Sequence, residues 1–264
     1  MKILVFLMAF MITEVSAQEF AMKQLESSPR HHEWVKVPSG QREVTCFMVY
    51  PEVSEKTAVV IVIHENMGLT PWVRSFTDQL ASKGYIAIAP DLLSDFDEEH
   101  ETTASFSSSD EARSAIYKLD RAQVMDDLDK IREYASNLKA GNGKVISAGF
   151  CWGGMQSFNF ASHNENIKAS LVFYGSAPDS EDAIRKIAAP VYAFYAGNDE
   201  RINSGIADTD KKMKAAGKTY EYVIYPGSGH GFMRQGDDPA GSPENKKARD
   251  EAWDRMLGIL GNYK

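Results

Sequence analysis

The stretch Gly149-Phe150-Cys151-Trp152-Gly153-Gly154 decides which fold this chain is expected to adopt. It follows Lys144-Val145-Ile146-Ser147-Ala148, a short run of β-forming residues, and it leads into residues 155–161, which can continue as a helix. A strand that turns at once into a helix forces the residue at the turn into a strained conformation. Glycines two positions before and two positions after that residue leave the room that the turn needs. The residue at this turn is Cys151.

The sequence around Cys151 allows two interpretations of its thiol, a reactive nucleophile or a structural cysteine. The free N–H groups and the positive dipole end of the following helix would face the sulfur and favour the thiolate, which is the reactive form. A short Gly-x-Cys-x-Gly pattern also fits a buried structural cysteine beside a glycine-rich turn. Residues further along the chain favour the first reading.

Asp199 and His230 follow Cys151, each after a run that reads as a strand. Asp199 ends the apolar run 193–197, and His230 comes after the run 221–225 and a Gly-Ser-Gly turn. Nucleophile, acid and histidine in this order, each at a strand end, match the chain order of α/β-hydrolases. His230 can accept the thiol proton, and Asp199 can hold the tautomer of the imidazole. Alone, either residue would fit an ordinary turn, but together with Cys151 they predict a Cys-His-Asp triad.

From about Val44 to its C-terminal residue the chain resembles the dienelactone hydrolase family. The matching segments are His64-Glu65-Asn66-Met67-Gly68-Leu69, Gly84-Tyr85-Ile86-Ala87-Ile88-Ala89-Pro90-Asp91-Leu92, the cysteine turn 149–154, Gly197-Asn198-Asp199 and His230-Gly231-Phe232. A cysteine at the turn, combined with a glutamate after the first core strand, is specific to this family within the α/β-hydrolases.

The resemblance implies a hydrolase of carboxylic esters or lactones that works through an acyl-enzyme intermediate. It implies that Glu65 pairs with the resting thiol of Cys151. It also implies an oxyanion hole formed by the backbone N–H of Trp152 and that of Asn66 (or Glu65). Two aimed donors are what a tetrahedral intermediate requires, and the loss of one costs roughly a hundredfold or more in rate.

Three arginines are candidate substrate-binding residues because a guanidinium can bind a carboxylate through two hydrogen bonds. By resemblance Arg234 occupies a carboxylate-binding position, and Arg113 and Arg74 match further arginine positions less directly. Gly231 departs from the family, which has a serine there, so the dienelactone itself is not implied as the substrate. A broad carboxylesterase acting on neutral esters and a non-catalytic binding protein with the same fold remain alternatives.

The alternation of apolar strands with helices predicts an α/β-hydrolase fold: a mostly parallel, doubly wound sheet with a leading antiparallel hairpin. The predicted hairpin strands cover 33–37 and 44–50, and the predicted core strands cover 58–63, 85–89, 144–148, 167–174, 191–196 and 219–225. Helices are predicted over 72–83, 109–138, 179–187, 203–216 and 243–260. The irregular segment 92–109 reads either as a surface loop or as part of a lid.

Residues 1–17 have the pattern of an export signal. Lys2 precedes the apolar run 3–12, and small residues stand at Val15 and Ala17 before the predicted cleavage point. Ten apolar residues are too few to span a bilayer, which takes about twenty. The pattern predicts a periplasmic or secreted protein with one domain over 18–264, and the alternative is a buried N-terminal helix.

The composition argues against several classes of partner. A net charge of −8 disfavours binding to nucleic acid or to an anionic membrane surface. No phosphate-binding, dinucleotide-binding or metal-ligand motif occurs, so we expect no cofactor and no metal, only a small-molecule ester or lactone substrate that can be anionic. Cys46 and Cys151 are predicted to stay unpaired, because a disulfide would remove the nucleophile. The oligomeric state is left open.

Overall fold

The strands of the protein form one eight-stranded sheet in the computed structural model, which describes residues 18–264. The predicted export signal, residues 1–17, lies outside the described residues. The strands are β1 (His32–Ser39), β2 (Arg42–Val49), β3 (Thr57–Ile63), β4 (Ile86–Pro90), β5 (Gly141–Phe150), β6 (Ser170–Phe173), β7 (Val191–Asn198) and β8 (Tyr220–Gly229). Their order across the sheet is β1-β2-β4-β3-β5-β6-β7-β8.

The directions of the strands confirm the predicted fold class. β1 and β2 form the leading antiparallel hairpin, and β2 also pairs antiparallel with β4. All the other neighbours, from β4 through β3 and β5 to β8, are parallel. Every residue of β3 is buried, as expected of a central strand that is covered on both faces.

Helices cover both faces of the sheet. They are α1 (residues 18–26), α2 (Pro71–Ser82), α3 (Ser109–Ile116), α4 (Arg121–Ser136), α5 (Trp152–His163), α6 (Glu181–Lys186), α7 (Glu200–Asn203), α8 (Ile206–Ala215), α9 (Phe232–Asp237) and α10 (Pro243–Leu260). Two apolar clusters fill the space between the helices and the sheet, one cluster on each face. No helix among residues 18–264 is long and apolar enough to cross a membrane.

One predicted helix is divided in the structure. The predicted helix 109–138 ends at Ile116 and restarts at Arg121, because the Asp120 side chain accepts hydrogen bonds from the amides of Ala122 and Gln123. A side chain that caps the amides at a helix start favours a new helix there. The predicted helix 203–216 corresponds to α8, and the short helices α7 and α9 were not predicted.

Residues 92–109 are mostly irregular, as predicted, and this segment is tied to the loop after β3. The Asp91 carboxylate accepts hydrogen bonds from the backbone N–H and the hydroxyl of Thr103, both at 2.7 Å. The Thr103 oxygen in turn accepts a hydrogen bond from the amide of Leu69 at 2.9 Å. The segment therefore packs against the fold as a surface loop and leads into α3.

Candidate active site

Cys151 lies at the sharp turn between β5 and α5 that its sequence predicted. Its backbone has φ 54° and ψ −113°, a conformation that non-glycine residues rarely adopt. A Cβ on Gly149 would lie 1.9 Å from the carbonyl oxygen of Gly153, and a Cβ on Gly153 would lie 2.3 Å from that of His64. Only glycine therefore fits at these two positions, and the close packing that results holds the half-buried Cys151 at the start of α5.

His230 and Asp199 form a direct hydrogen bond. The ring atom Nδ1 of His230 lies 2.5 Å from Asp199 Oδ2, which leaves Nε2 on the far side of the ring. Asp199 is 7% exposed, and Nε2 is also buried, without a hydrogen bond to any residue of the range 18–264. The carboxylate thus sets the orientation of an imidazole whose second nitrogen is available for chemistry.

The surroundings of His230 move its pKa in opposite directions. Burial disfavours the charged ring and would lower the pKa, whereas the hydrogen bond to Asp199 and the neighbouring Cys151 thiol raise it. The net result is a pKa of about 9. The imidazolium form is therefore favoured at neutral pH, which is the form that stabilises a nearby thiolate.

A cavity of about 550 Å³ lies above Cys151, at the carboxyl ends of the parallel strands. Cys151, His230 and Trp152 line it, together with Glu65 and Asn66 from the loop after β3. Much of the remaining wall is formed by Arg113 of α3, Tyr117 directly after α3, Arg201 and Ile202 of α7, and Arg234 of α9. A cleft at this edge of the sheet is where doubly wound folds bind their ligands.

Glu65 and Arg234 form a buried ion pair within this cavity wall. Arg234 Nε donates to Glu65 Oε2 at 2.8 Å, and the two side chains are only 6% and 5% exposed. The family resemblance also implies a contact between Glu65 and the resting thiol and a role for Arg234 in binding substrate, and both stay predictions. In this structure the carboxylate faces Arg234, and each residue neutralises the charge of the other.

The two remaining predicted arginines lie in different places. Arg113 lines the cavity, half-buried, and donates to Asp110 at 2.6 Å. Arg74 does not line it: the Arg74 guanidinium lies over the rings of Trp34 and Phe47, with its carbon 5.8 and 6.0 Å from their centroids. We therefore remove Arg74 from the candidate site, since its contacts are with the hairpin at the other side of the sheet.

The residues whose backbone N–H groups are predicted to form an oxyanion hole, Trp152 and Asn66, line the same cavity as Cys151. Trp152 is the first residue of α5, where an N–H has no partner within the helix. Neither this N–H nor that of Asn66 donates to another backbone carbonyl in the described chain. The Asn66 side chain donates to the Tyr117 hydroxyl at 3.2 Å, so it is held away from its own backbone.

Sequence reasoning did not identify three residues at the site. His64 is fully buried, and one ring nitrogen contacts the Glu65 carbonyl at 2.8 Å while the other accepts from the amide of Leu92 at 3.2 Å. Its ring stacks on Trp152, with centroids 5.5 Å apart. Tyr174 has a positive φ of 41°, is fully buried and lines the cavity beside His230. The third residue, Arg201, has no sequence signal beyond following Asp199 closely.

Burial raises the pKa of Tyr174 well above its ordinary value, and the nearby Glu65 carboxylate acts in the same direction. Burial lowers the pKa of His64, so that ring is neutral. A neutral His64 that accepts from Leu92 at Nε2 must carry its proton on Nδ1. The His64 ring thereby connects the loops after β3 and β4, and its stacking contact holds the Trp152 side chain in place.

The second cysteine and one cluster of possible metal ligands lie away from the cavity. Cys46 is fully buried in β2, both cysteines are free thiols, and burial raises the pKa of Cys46 well above its ordinary value. Asp126, Asp129 and His163 bring their ligand atoms within 4.8 Å of one another on α4 and α5. None of these three lines the cavity, so this cluster has no place in the candidate site.

Comparison with known proteins places the chain in a family. The model of the dienelactone hydrolase family matches residues 44–264. A Saccharolobus solfataricus protein, provisionally named a carboxymethylenebutenolidase, is 31% identical over 253 residues, which cover 84% of this chain and 95% of that protein. A relative in Escherichia coli K12 with the same provisional name is 28% identical and covers 87% and 86% of the two chains.

A solved structure agrees with these relatives. The crystal structure of a protein from Klebsiella pneumoniae, provisionally titled a dienelactone hydrolase, has a TM-score of 0.77 and 26% identity to this chain. The match covers 89% of this chain and 99% of the solved one. With its eight-stranded sheet, its cysteine turn and these relatives, the chain belongs to the dienelactone hydrolase family and is a hydrolase of carboxylic esters or lactones.

Proposed function

We propose that the protein hydrolyses its ester or lactone substrate through a Cys-His-Asp triad, with Cys151 as nucleophile, His230 as base and acid, and Asp199 as the residue that orients His230. One observation carries the proposal: the Asp199–His230 hydrogen bond lies in the same cavity wall as the strained Cys151 turn. These three residues come from the ends of β5, β7 and β8, so their proximity is a property of the fold.

The reaction starts from a thiolate–imidazolium pair, in which the thiol proton of Cys151 lies on Nε2 of His230. The pKa of about 9 at His230 favours this state at neutral pH, since Asp199 faces the other ring nitrogen. The thiolate then attacks the carbonyl carbon, and a C–S bond forms as the carbonyl π electrons move to oxygen. The backbone N–H groups of Trp152 and Asn66 donate to that oxyanion.

Collapse of the tetrahedral intermediate breaks the bond to the alcohol oxygen, which takes the proton from His230. An ester releases a free alcohol at this point, whereas a lactone opens and keeps its new hydroxyl on the acyl group. Water then attacks the thioester carbonyl and gives one proton to His230. The C–S bond breaks with its electrons on sulfur, so the carboxylic acid leaves and the thiolate–imidazolium pair of Cys151 and His230 is restored.

Trapping of the acyl-enzyme tests the proposal directly. The protein is mixed with a short 4-nitrophenyl ester, quenched in acid and analysed by intact mass and by peptide mapping. We expect one acyl group on Cys151, and we expect Cys151→Ala to lower turnover about a thousandfold or more. Cys46→Ala is the matched control, because it removes the other thiol and leaves the cavity intact. Full turnover by Cys151→Ala would overturn the proposal.

We also propose that residues 1–17 direct the protein out of the cytoplasm. The support is the sequence alone: a lysine, ten apolar residues and small residues before Gln18. N-terminal sequencing of the protein recovered from the cell envelope or the medium is the test. A chain that begins at Gln18 is expected, and a chain found in the cytoplasm with its first residues retained would contradict it.

A further inference from the structure

Three arginines line the main cavity, and two of them are paired with a carboxylate. Arg234 donates to Glu65, and Arg113 donates to Asp110. Arg201 lines the same cavity, is exposed, and forms no ion pair with any other residue of the described range. The positive charge that a bound anion would experience is therefore centred on Arg201.

Arg201 also lines a second, smaller cavity of about 130 Å³. Ser176 and Ile202 are shared by the two cavities in the same way, so these three residues form the boundary between them. The smaller cavity continues behind this boundary between the segment after β6 and the start of α8, with Tyr195 and Thr209 in its wall. Arg201 and Ser176 are both exposed residues, and both line the place where the two cavities meet.

This boundary lies on a different flank of the site from Arg113. Arg113 belongs to α3, which follows β4 in the chain, whereas Arg201 belongs to α7, which follows β7. In the sheet β4 and β7 lie on opposite sides of β5, the strand that leads to Cys151. A substrate group that reaches Arg201 extends from the thiol toward the β7 side.

We propose that Arg201 and Ser176 form a second substrate subsite, which binds a carboxylate of the ester or lactone that is cleaved at Cys151. The inference rests on the proposed function and adds to it the position of an anionic group on the α7 flank. A guanidinium and a hydroxyl can donate together to one carboxylate. The protein carries a net charge of −8, so an anionic substrate needs a local cation of this kind.

The size of the effect follows from the exposure of Arg201. A fully buried guanidinium–carboxylate contact would be worth up to a hundredfold in binding, but water and salt weaken an exposed one. We therefore expect the loss of Arg201 to weaken recognition of the carboxylate by about fivefold to tenfold. The loss appears in KM, because the contact exists already in the bound substrate.

The test uses pairs of esters that differ only in one negative charge. Mono-4-nitrophenyl glutarate and its methyl ester place the charge on the acyl side, and 3-acetoxybenzoate and its methyl ester place it on the alcohol side. Arg201→Gln should raise KM for the anionic member of at least one pair and leave the neutral member within about twofold. Ser176→Ala should act in the same direction with a smaller effect.

Arg185→Gln is the matched control. It changes the net charge by the same amount on α6, at a residue that does not line the main cavity. Arg185→Gln should leave KM unchanged for both esters of each pair. This result separates a local contact at Arg201 from a general effect of protein charge. Salt should narrow the difference between wild type and Arg201→Gln, since the contact is exposed.

Binding measurements keep this inference distinct from the proposed mechanism. Monoethyl glutarate and 3-hydroxybenzoic acid are each titrated by calorimetry into Cys151→Ala and into Cys151→Ala/Arg201→Gln. The dissociation constants of the two variants are then compared. Weaker binding to the double variant supports the subsite even if Cys151 is not the nucleophile. Equal KM changes for charged and neutral esters, or no change for either pair together with equal binding, would overturn the subsite.

Discussion

Arg234 and Glu65 lie 169 positions apart in the chain, and Arg234 Nε nevertheless donates to Glu65 Oε2 at 2.8 Å. Both side chains are almost completely buried. Two charges that are held away from water depend on each other, because removal of one leaves the other uncompensated. The pair therefore ties α9 to the loop after β3 as well as shaping the cavity wall.

Arg234→Ala should therefore destabilise the protein. We expect the free energy of unfolding to fall by about 3–5 kcal/mol, because the buried Glu65 carboxylate loses its partner. Urea denaturation followed by circular dichroism measures the change. Glu65→Gln in the Arg234→Ala background should recover part of the loss. Arg185→Ala removes an exposed pair with Asp182 and should change the stability far less, because water screens that pair. Equal costs for the two arginines would contradict this account of the buried pair.

The ion pair between His230 and Asp199 should make stability depend on pH above neutrality. The folded pKa of about 9 exceeds the ordinary value of 6.5, so the stabilisation is complete below pH 6.5 and is lost as pH rises through 9. A shift from 6.5 to about 9 corresponds to a loss of about 3 kcal/mol in the free energy of unfolding. Denaturation midpoints from pH 6 to pH 10 measure it.

Asp199→Asn is the control for this pH dependence. Without the carboxylate, burial lowers the pKa of His230 and only the Cys151 thiol still raises it, so the decline between pH 6.5 and 9 should become much smaller. A decline of the same size in Asp199→Asn would assign the pH dependence to other groups.

Replacement of Gly153 by alanine should lower the stability of the protein, whereas replacement of Gly258 by alanine should raise it. A Cβ at Gly153 would lie 2.3–2.4 Å from the carbonyl oxygens of His64 and Ile63, so Gly153→Ala must displace backbone and should cost several kcal/mol. Gly258 lies within α10 with nothing near its Cβ position, so Gly258→Ala should raise stability by about 0.5–1 kcal/mol. Thermal denaturation of the two variants compares them. A tolerated Gly153→Ala would show that the turn at Cys151 can relax.

The two thiols should differ sharply in reactivity. Cys151 is half-buried and lines the cavity, whereas Cys46 is fully buried and burial raises its pKa well above the ordinary range. The native protein should therefore take up one equivalent of iodoacetamide, on Cys151, and a second only in denaturant. Intact mass and peptide mapping count and locate the adducts. Equal labelling rates for the two cysteines in the native protein would refute this difference.

Much of the fold could be predicted because local patterns determine it. The fully apolar run at 58–63 became the central strand, and the glycines around Cys151 marked the turn between β5 and α5. The order of Cys151, Asp199 and His230 at strand ends predicted that they would meet, since parallel strands bring their carboxyl ends to one edge. Each of these patterns is local in the sequence, and the parallel sheet brings the residues that they mark to one edge.

The partners of charged groups could not be predicted in the same way. Glu65 contacts Arg234, and Arg74 lies over Trp34 and Phe47, because packing between distant segments chose these contacts. No motif or periodic pattern marks Arg201 in the sequence. Its candidate role follows only from the structure, in which Arg113 and Arg234 of the same cavity are paired with carboxylates. The break between α3 and α4 was missed because Asp120 was read as an interior helix residue.

The position of β8 at one edge of the sheet makes the catalytic geometry depend on a single strand pairing. β5 and β7 pair through β6 and position the thiol and Asp199 without any residue of β8. His230 directly follows β8, which pairs with β7 alone among the described strands. Fraying of this one edge would therefore separate the base from Asp199 and leave the turn at Cys151 in place.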